Sequence, residues 1–226
     1  MLYAHLPLCG IETHPFFTGT LVMTIRLHRG DLSHPIPAGS IVAIDTETLG
    51  LIPHRDRLCV VQLSTGDGDA DVIQIAPGQR TAPNLAAMLA DPTILKLFHF
   101  GRFDLAVLFH AFGVMPSPVY CTKIASKLTR TYTDRHGLKD ITRELLGVDL
   151  SKQQQSSDWA AETLSEAQLA YAASDVLHLH ALKARLDVML ARENRTALAE
   201  ACFRFLPARA ELDLVGWPET DIFAHA

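Results

Sequence analysis

Four consecutive apolar residues, Ile41, Val42, Ala43 and Ile44, lead directly into Asp45, Thr46, Glu47 and Thr48. A run that is apolar on both faces predicts a strand covered on both sides of a sheet, here ending in acid. Residues 58–64 and 70–75 repeat the strand pattern. Gly66, Asp67 and Gly68 lie between them as a turn, so the region from 41 to 75 predicts an antiparallel meander. Upstream, residues 23–28 alternate and predict a first strand. The period then changes: residues 83–89 read as helix, 94–100 as a buried strand and 102–112 as a second helix. Strand alternating with helix predicts an α/β fold with a mixed central sheet flanked by helices, in which sites gather where strands end and helices begin.

From Thr122 onward the pattern is mainly helical, with segments at 123–129 and 138–146 followed by a polar loop at 151–157. Ser165, Glu166, Ala167 and Gln168 have the spacing of a capping box and open a helix rich in Ala and Leu. Neither a repeat nor a linker divides the chain, and 226 residues are enough for one sizeable core. Residues 1–22 contain Pro7, Cys9, Gly10, His14 and Pro15 and lack the features of a signal peptide. They are expected to form a poorly ordered N-terminal extension from an upstream start codon. That leaves 23–226 as one domain with a C-terminal helix and tail.

Composition narrows the function. Hydrophobic residues make up 48% and charged residues 20%, which excludes a disordered or fibrous chain. No apolar run is long enough for a bilayer, so no membrane partner is expected. A net charge of -5 argues against gripping long nucleic acid by its phosphates, while a small anionic substrate held through a metal remains compatible. Cys9, Cys59, Cys121 and Cys202 show no paired spacing, which argues for free thiols in a reducing, cytoplasmic compartment rather than for zinc.

Asp45 and Glu47, two apart on a strand, share one face. They read either as a strand surfacing into water or as oxygen ligands for a hard divalent cation. Further acids bear on the choice. Asp104 falls in the first turn of the helix at 102–112, where alone it would be a macrodipole acid worth about 0.3–1 kcal/mol. Tyr171 and Asp175 lie four apart on the capped helix, on a face with Leu169, Ala172 and Ala173. A tyrosine there is ordinarily core, whereas an inward aspartate needs a cation or a donor nearby.

Together, Asp45-Thr46-Glu47, His99-Phe100-Gly101-Arg102-Phe103-Asp104 and Tyr171-Ala172-Ala173-Ser174-Asp175 resemble the three motifs of the DEDD superfamily of 3′-5′ exonucleases, tyrosine subgroup. Ser157-Asp158-Trp159 resembles a segment of the RNase D branch. Residues 23–30, 122–138 and 221–225 are similar to the nano-RNase C family, small alphaproteobacterial enzymes that degrade diribonucleotides. The resemblance implies a ribonuclease H-like exonuclease fold. It also implies a 3′-5′ exoribonuclease that hydrolyses short RNA, preferentially dinucleotides, to nucleoside 5′-monophosphates. Asp45, Glu47, Asp104 and Asp175 would hold two Mg2+ or Mn2+ ions, and Tyr171 would orient the attacking water. A general RNase D-like exonuclease trimming longer RNA is the alternative. An inactive nucleic-acid-binding scaffold is another, against which the complete set of acids counts.

The same resemblance implies substrate contacts around the first two motifs, at Thr46, Thr48, Leu51, His99 and Phe103. Leu51 would wedge against the bases, and Phe103 reads equally as core. Lys123, Lys127, Arg130, Arg135, His136 and Lys139 form one basic stretch in an acidic chain. It reads as a solvated face or as phosphate contacts, with Lys123, Arg130 and Arg135 as the candidates. A closed homo-oligomer, an octameric ring, is expected from the family. Phe203, Phe205, Leu212, Leu214, Trp217, Ile222 and Phe223 are many large apolar groups for a chain end.

Overall fold

Strand β2 (Ile41–Thr48) lies inside a six-stranded mixed sheet because its apolar half, Val42, Ala43 and Ile44, is fully buried. It follows β1 (Ile25–Arg29) in the chain and precedes β3 (Leu58–Ser64), β4 (Ala70–Gln74), β5 (Leu95–Phe98) and β6 (Val119–Cys121). The spatial order is β1-β4-β3-β2-β5-β6. The computed structural model describes residues 23–151 and 153–225, so the extension expected at 1–22 lies outside the described residues.

β2, β3 and β4 form the expected antiparallel meander. β5 joins β2 in parallel and β6 joins β5 in parallel, as their helical crossovers require, while β1 closes the far edge in parallel with β4. Asp45 faces Gln62, Thr46 faces Val61 and Glu47 faces Val60, and the register shifts only between Glu47 and Thr48. The irregularity falls after the second acid. Asp45 and Glu47 therefore keep the same face, and Thr46 points to the other.

The helices are α1 (Pro83–Ala90), α2 (Arg102–Phe112), α3 (Thr122–Thr129), α4 (Leu138–Leu146), α5 (Glu166–Leu177), α6 (Leu179–Arg192) and α7 (Thr196–Leu214). α5 packs on β3, β4 and β2, and α2 packs against β2, β3 and α7. The anticipated capping box is formed: the Ser165 side chain accepts from the Gln168 N–H, and the Gln168 side chain accepts from the Ser165 N–H. Strand β6 was not anticipated. α7 runs through Pro207 and buries Ala199, Phe203, Leu206 and Ala210, so part of the apolar chain end belongs to the core. Arg102 makes two hydrogen bonds to Asp213, at 2.6 and 2.7 Å, and a further one to the Pro218 carbonyl, tying the chain end to the start of α2. Among the described residues no helix is long and apolar enough to cross a membrane.

Candidate active site

The mouth of β2 brings three of the predicted acids together. One carboxylate oxygen from each of Asp45, Glu47 and Asp175 lies within 4.8 Å of the others. Asp45 and Glu47 arrive from the strand face under α5, which delivers Asp175 one turn beyond Tyr171. Asp104, 3% exposed, comes from the first turn of α2 and stands outside that trio. It accepts a hydrogen bond of 2.7 Å from the hydroxyl of Thr46, the residue whose side chain points away from its two acidic neighbours. Gly101 lets α2 begin this close to the sheet, since a Cβ there would meet the Phe98 Cβ at 2.8 Å.

Crowded, part-buried carboxylates hold their protons. Burial raises the pKa of Asp45 well above the carboxylate range, reinforced by Asp104, Asp175 and Glu47. Burial, then Asp175 and Asp104, pushes Glu47 up to about 9. Asp104 and Asp175 also rise through burial, with the Thr46 hydroxyl pulling Asp104 partly back and the Tyr171 hydroxyl doing so for Asp175. The Tyr171 phenol is itself driven up by burial and by Asp175, Glu47 and Asp45. An all-oxygen donor set with repelling charges fits a hard divalent cation, which would relieve the repulsion without a proton.

A cavity of about 310 Å³ opens here, and its lining includes Asp45, Glu47, Tyr171 and Asp175 together with His99, Phe100, Lys123 and Lys139. Burial and the nearby Lys123 push His99 down to about 3, so its ring is neutral. Nδ1 of His99 lies 2.9 Å from the hydroxyl of Thr122, which in turn donates to the Phe98 carbonyl. Phe100 stands at φ 63° in the left-handed region, where a bulky residue is strained. The Lys123 ammonium sits 4.0 Å from its ring centroid.

Other expected contacts are placed differently. Thr46 lines the cavity, but its hydroxyl is committed to Asp104. Thr48 donates to the Gly50 carbonyl, and Leu51 is 83% exposed on the loop after β2. Phe103 packs against the core. Arg130 requires a correction: it is fully buried, with its guanidinium committed to Glu144, the Ser126 hydroxyl and the Arg135 carbonyl, because the chain turns it inward after α3. It cannot reach a phosphate in this arrangement. Arg135 is not among the residues that line the cavity. Sequence reasoning missed Lys139 as a cavity residue in its own right, although the basic stretch contained it. It also missed Phe100, whose backbone strain leaves no mark in the sequence, and Gln62, whose amide Nε2 donates to Asp45 at 2.7 Å.

The chain belongs to the 3′-5′ exonuclease family, whose pattern matches residues 31–191. Among solved structures it is similar to Brucella melitensis NrnC with bound Mg2+, at 69% identity over 90% of this chain and 100% of that one, with a TM-score of 0.86. It is also similar to Brucella melitensis NrnC bound to pGG, at 70% identity over 91% and 100% of the two chains, with a TM-score of 0.87. Ribonuclease D of Gluconacetobacter diazotrophicus is 38% identical over 154 residues, which are 68% of this chain and 39% of that protein. The chain thus spans about two fifths of the length of the curated relatives it matches.

Proposed function

We propose that residues 23–226 form one 3′-5′ exoribonuclease domain that hydrolyses dinucleotides, and short RNA generally, to nucleoside 5′-monophosphates. The observation that carries this reading is the meeting of Asp45, Glu47 and Asp175 in a small cavity whose lining also includes Tyr171, Lys123 and Lys139. Asp45, Glu47, Asp104 and Asp175 hold two Mg2+ or Mn2+ ions. When bound, these supply a lowered pKa for water and charge stabilisation for the leaving 3′-oxygen. Tyr171, with its pKa raised by burial and by its acidic neighbours, keeps its proton and cannot be the base. Its hydroxyl instead places the attacking water in line.

Lys123, steadied over Phe100, and Lys139 meet the substrate's terminal phosphate, and His99 faces its sugar. Leu51, exposed beside the first motif, wedges against the bases. The NrnC neighbour bound to pGG supports a short substrate, and a net charge of -5 offers little reward for each added phosphate of a longer strand. Resemblance to ribonuclease D favours a second reading, the trimming of longer RNA. Turnover of 5′-phosphorylated RNAs of two to about ten nucleotides with Mn2+ decides between them. A steep fall in kcat/KM between two and three nucleotides is expected, and equal efficiency across the series would leave the second reading standing.

The working form is proposed to be a closed homo-oligomer, an octameric ring, in the cytoplasm. Trp217, Ile222 and Phe223 are 46%, 45% and 76% exposed at one chain end, a sticky surface for a monomer, and the free Cys59 and Cys121 suit a reducing compartment. A monomer by light scattering at micromolar concentration would overturn the ring.

A further inference from the structure

We propose that Gln62 is a positioning residue for Asp45: its side-chain N–H holds one carboxylate oxygen so that the other is presented to a cation. The inference rests on the cation-site reading above and extends it to a residue outside the acidic set.

Strand β3 is buried along its whole length, and Gln62 is 0% exposed within it. It stands directly opposite Asp45 in the antiparallel pair, with Nε2 at 2.7 Å from Oδ2. The amide's other end gains nothing, because Oε1 is buried without a hydrogen-bond partner among the described residues. Packing does not account for such a residue, since an unbranched apolar side chain of the same length would fill the space and leave no orphaned carbonyl. The preceding partner pair, Glu47 with Val60, shows that this strand face accommodates apolar residues opposite an acid.

What distinguishes position 62 is the donor. With a cation bound Asp45 is ionised and only accepts, so the amide nitrogen is the end that must face it, and the orphaned oxygen is the consequence of that orientation. A neutral donor has a further advantage over lysine or arginine. It fixes the rotation of the carboxylate without cancelling the negative charge that draws in a divalent ion. Hydrogen-bond partners of ligating carboxylates commonly change metal affinity by about 10–100-fold.

The test compares wild type with Gln62→Met, which keeps the chain length and removes the donor. Mn2+ affinity is measured by calorimetry and by the free-ion electron paramagnetic resonance signal, alongside melting temperature and kinetics. Weakening of Mn2+ binding by at least about tenfold is expected, with the melting temperature of the metal-free protein unchanged or raised and lost turnover recovered at high Mn2+. Wild-type affinity in Gln62→Met would overturn the role of Gln62. A wild-type protein that takes up no Mn2+ would instead overturn the cation-site reading beneath it. Should the variant fail to fold, the Gln62 side-chain amide protons of the wild-type protein can be followed by nuclear magnetic resonance during a Mg2+ titration. A shift that saturates with the metal supports the inference, and resonances that stay fixed while Mg2+ binds overturn it.

Discussion

Replacing any one of Asp45, Glu47, Asp104 or Asp175 by alanine is expected to lower kcat by on the order of a thousandfold, since several kcal/mol of transition-state charge stabilisation depend on the cations they are proposed to hold. A variant that kept wild-type turnover at saturating Mn2+ would remove its residue from the ligand set, and Asp104, outside the tight trio, is the most informative of the four. Tyr171→Phe should behave differently. It keeps the ring that packs near Trp159 and loses only the hydroxyl, so KM should hold while kcat falls by about a hundredfold through misplacement of the water. Equal rises in KM across these variants would mean that they contact substrate rather than organise the reaction.

At the level of elements, the turn after α3 separates two roles that basic residues can play. Arg130→Met should lower the melting temperature, with about 1–3 kcal/mol lost as the Ser126 and Arg135 acceptors go unmet, while leaving the KM for dinucleotides unchanged. Lys123→Ala and Lys139→Ala should raise KM with little effect on stability; thermal melts and initial rates on the same samples separate the cases. Charge pattern alone could not make this distinction, because it records that residues 123–139 are basic and not which of them the chain turns inward. The acidic motifs were legible for the opposite reason. Asp45 with Glu47 and Tyr171 with Asp175 follow the periods of strand and helix, so their spacing already states a shared face. β6 is only three residues long, too short for any period to show. Pro207 concealed the continuity of α7. The pairing of Gln62 with Asp45 depends on the register between two strands, which neither strand encodes by itself.

For the whole molecule, the held protons predict an inverted dependence of stability on pH. Glu47, at about 9 in the folded chain, keeps a proton that the unfolded chain releases near the ordinary value of 4.5. The folded state therefore binds more protons between those values, and its stability falls as pH rises from about 4.5 through about 9. Asp45, Asp104 and Asp175 are shifted in the same direction and add to the slope. Melting temperatures in EDTA should decline across this interval, and saturating Mg2+ or Mn2+ should remove the decline, because cation binding displaces the protons. A metal-free protein with a flat or rising profile would show that the four acids are not held together in solution.

The packing beside Tyr171 has an optical consequence. The sequence contains two tryptophans: Trp159 is 2% exposed with its ring centroid 6.0 Å from that of Tyr171, and Trp217 is 46% exposed near the chain end. In a Trp217→Phe variant the emission comes only from the indole beside Tyr171, so cation loading can be followed by light without a label or a substrate.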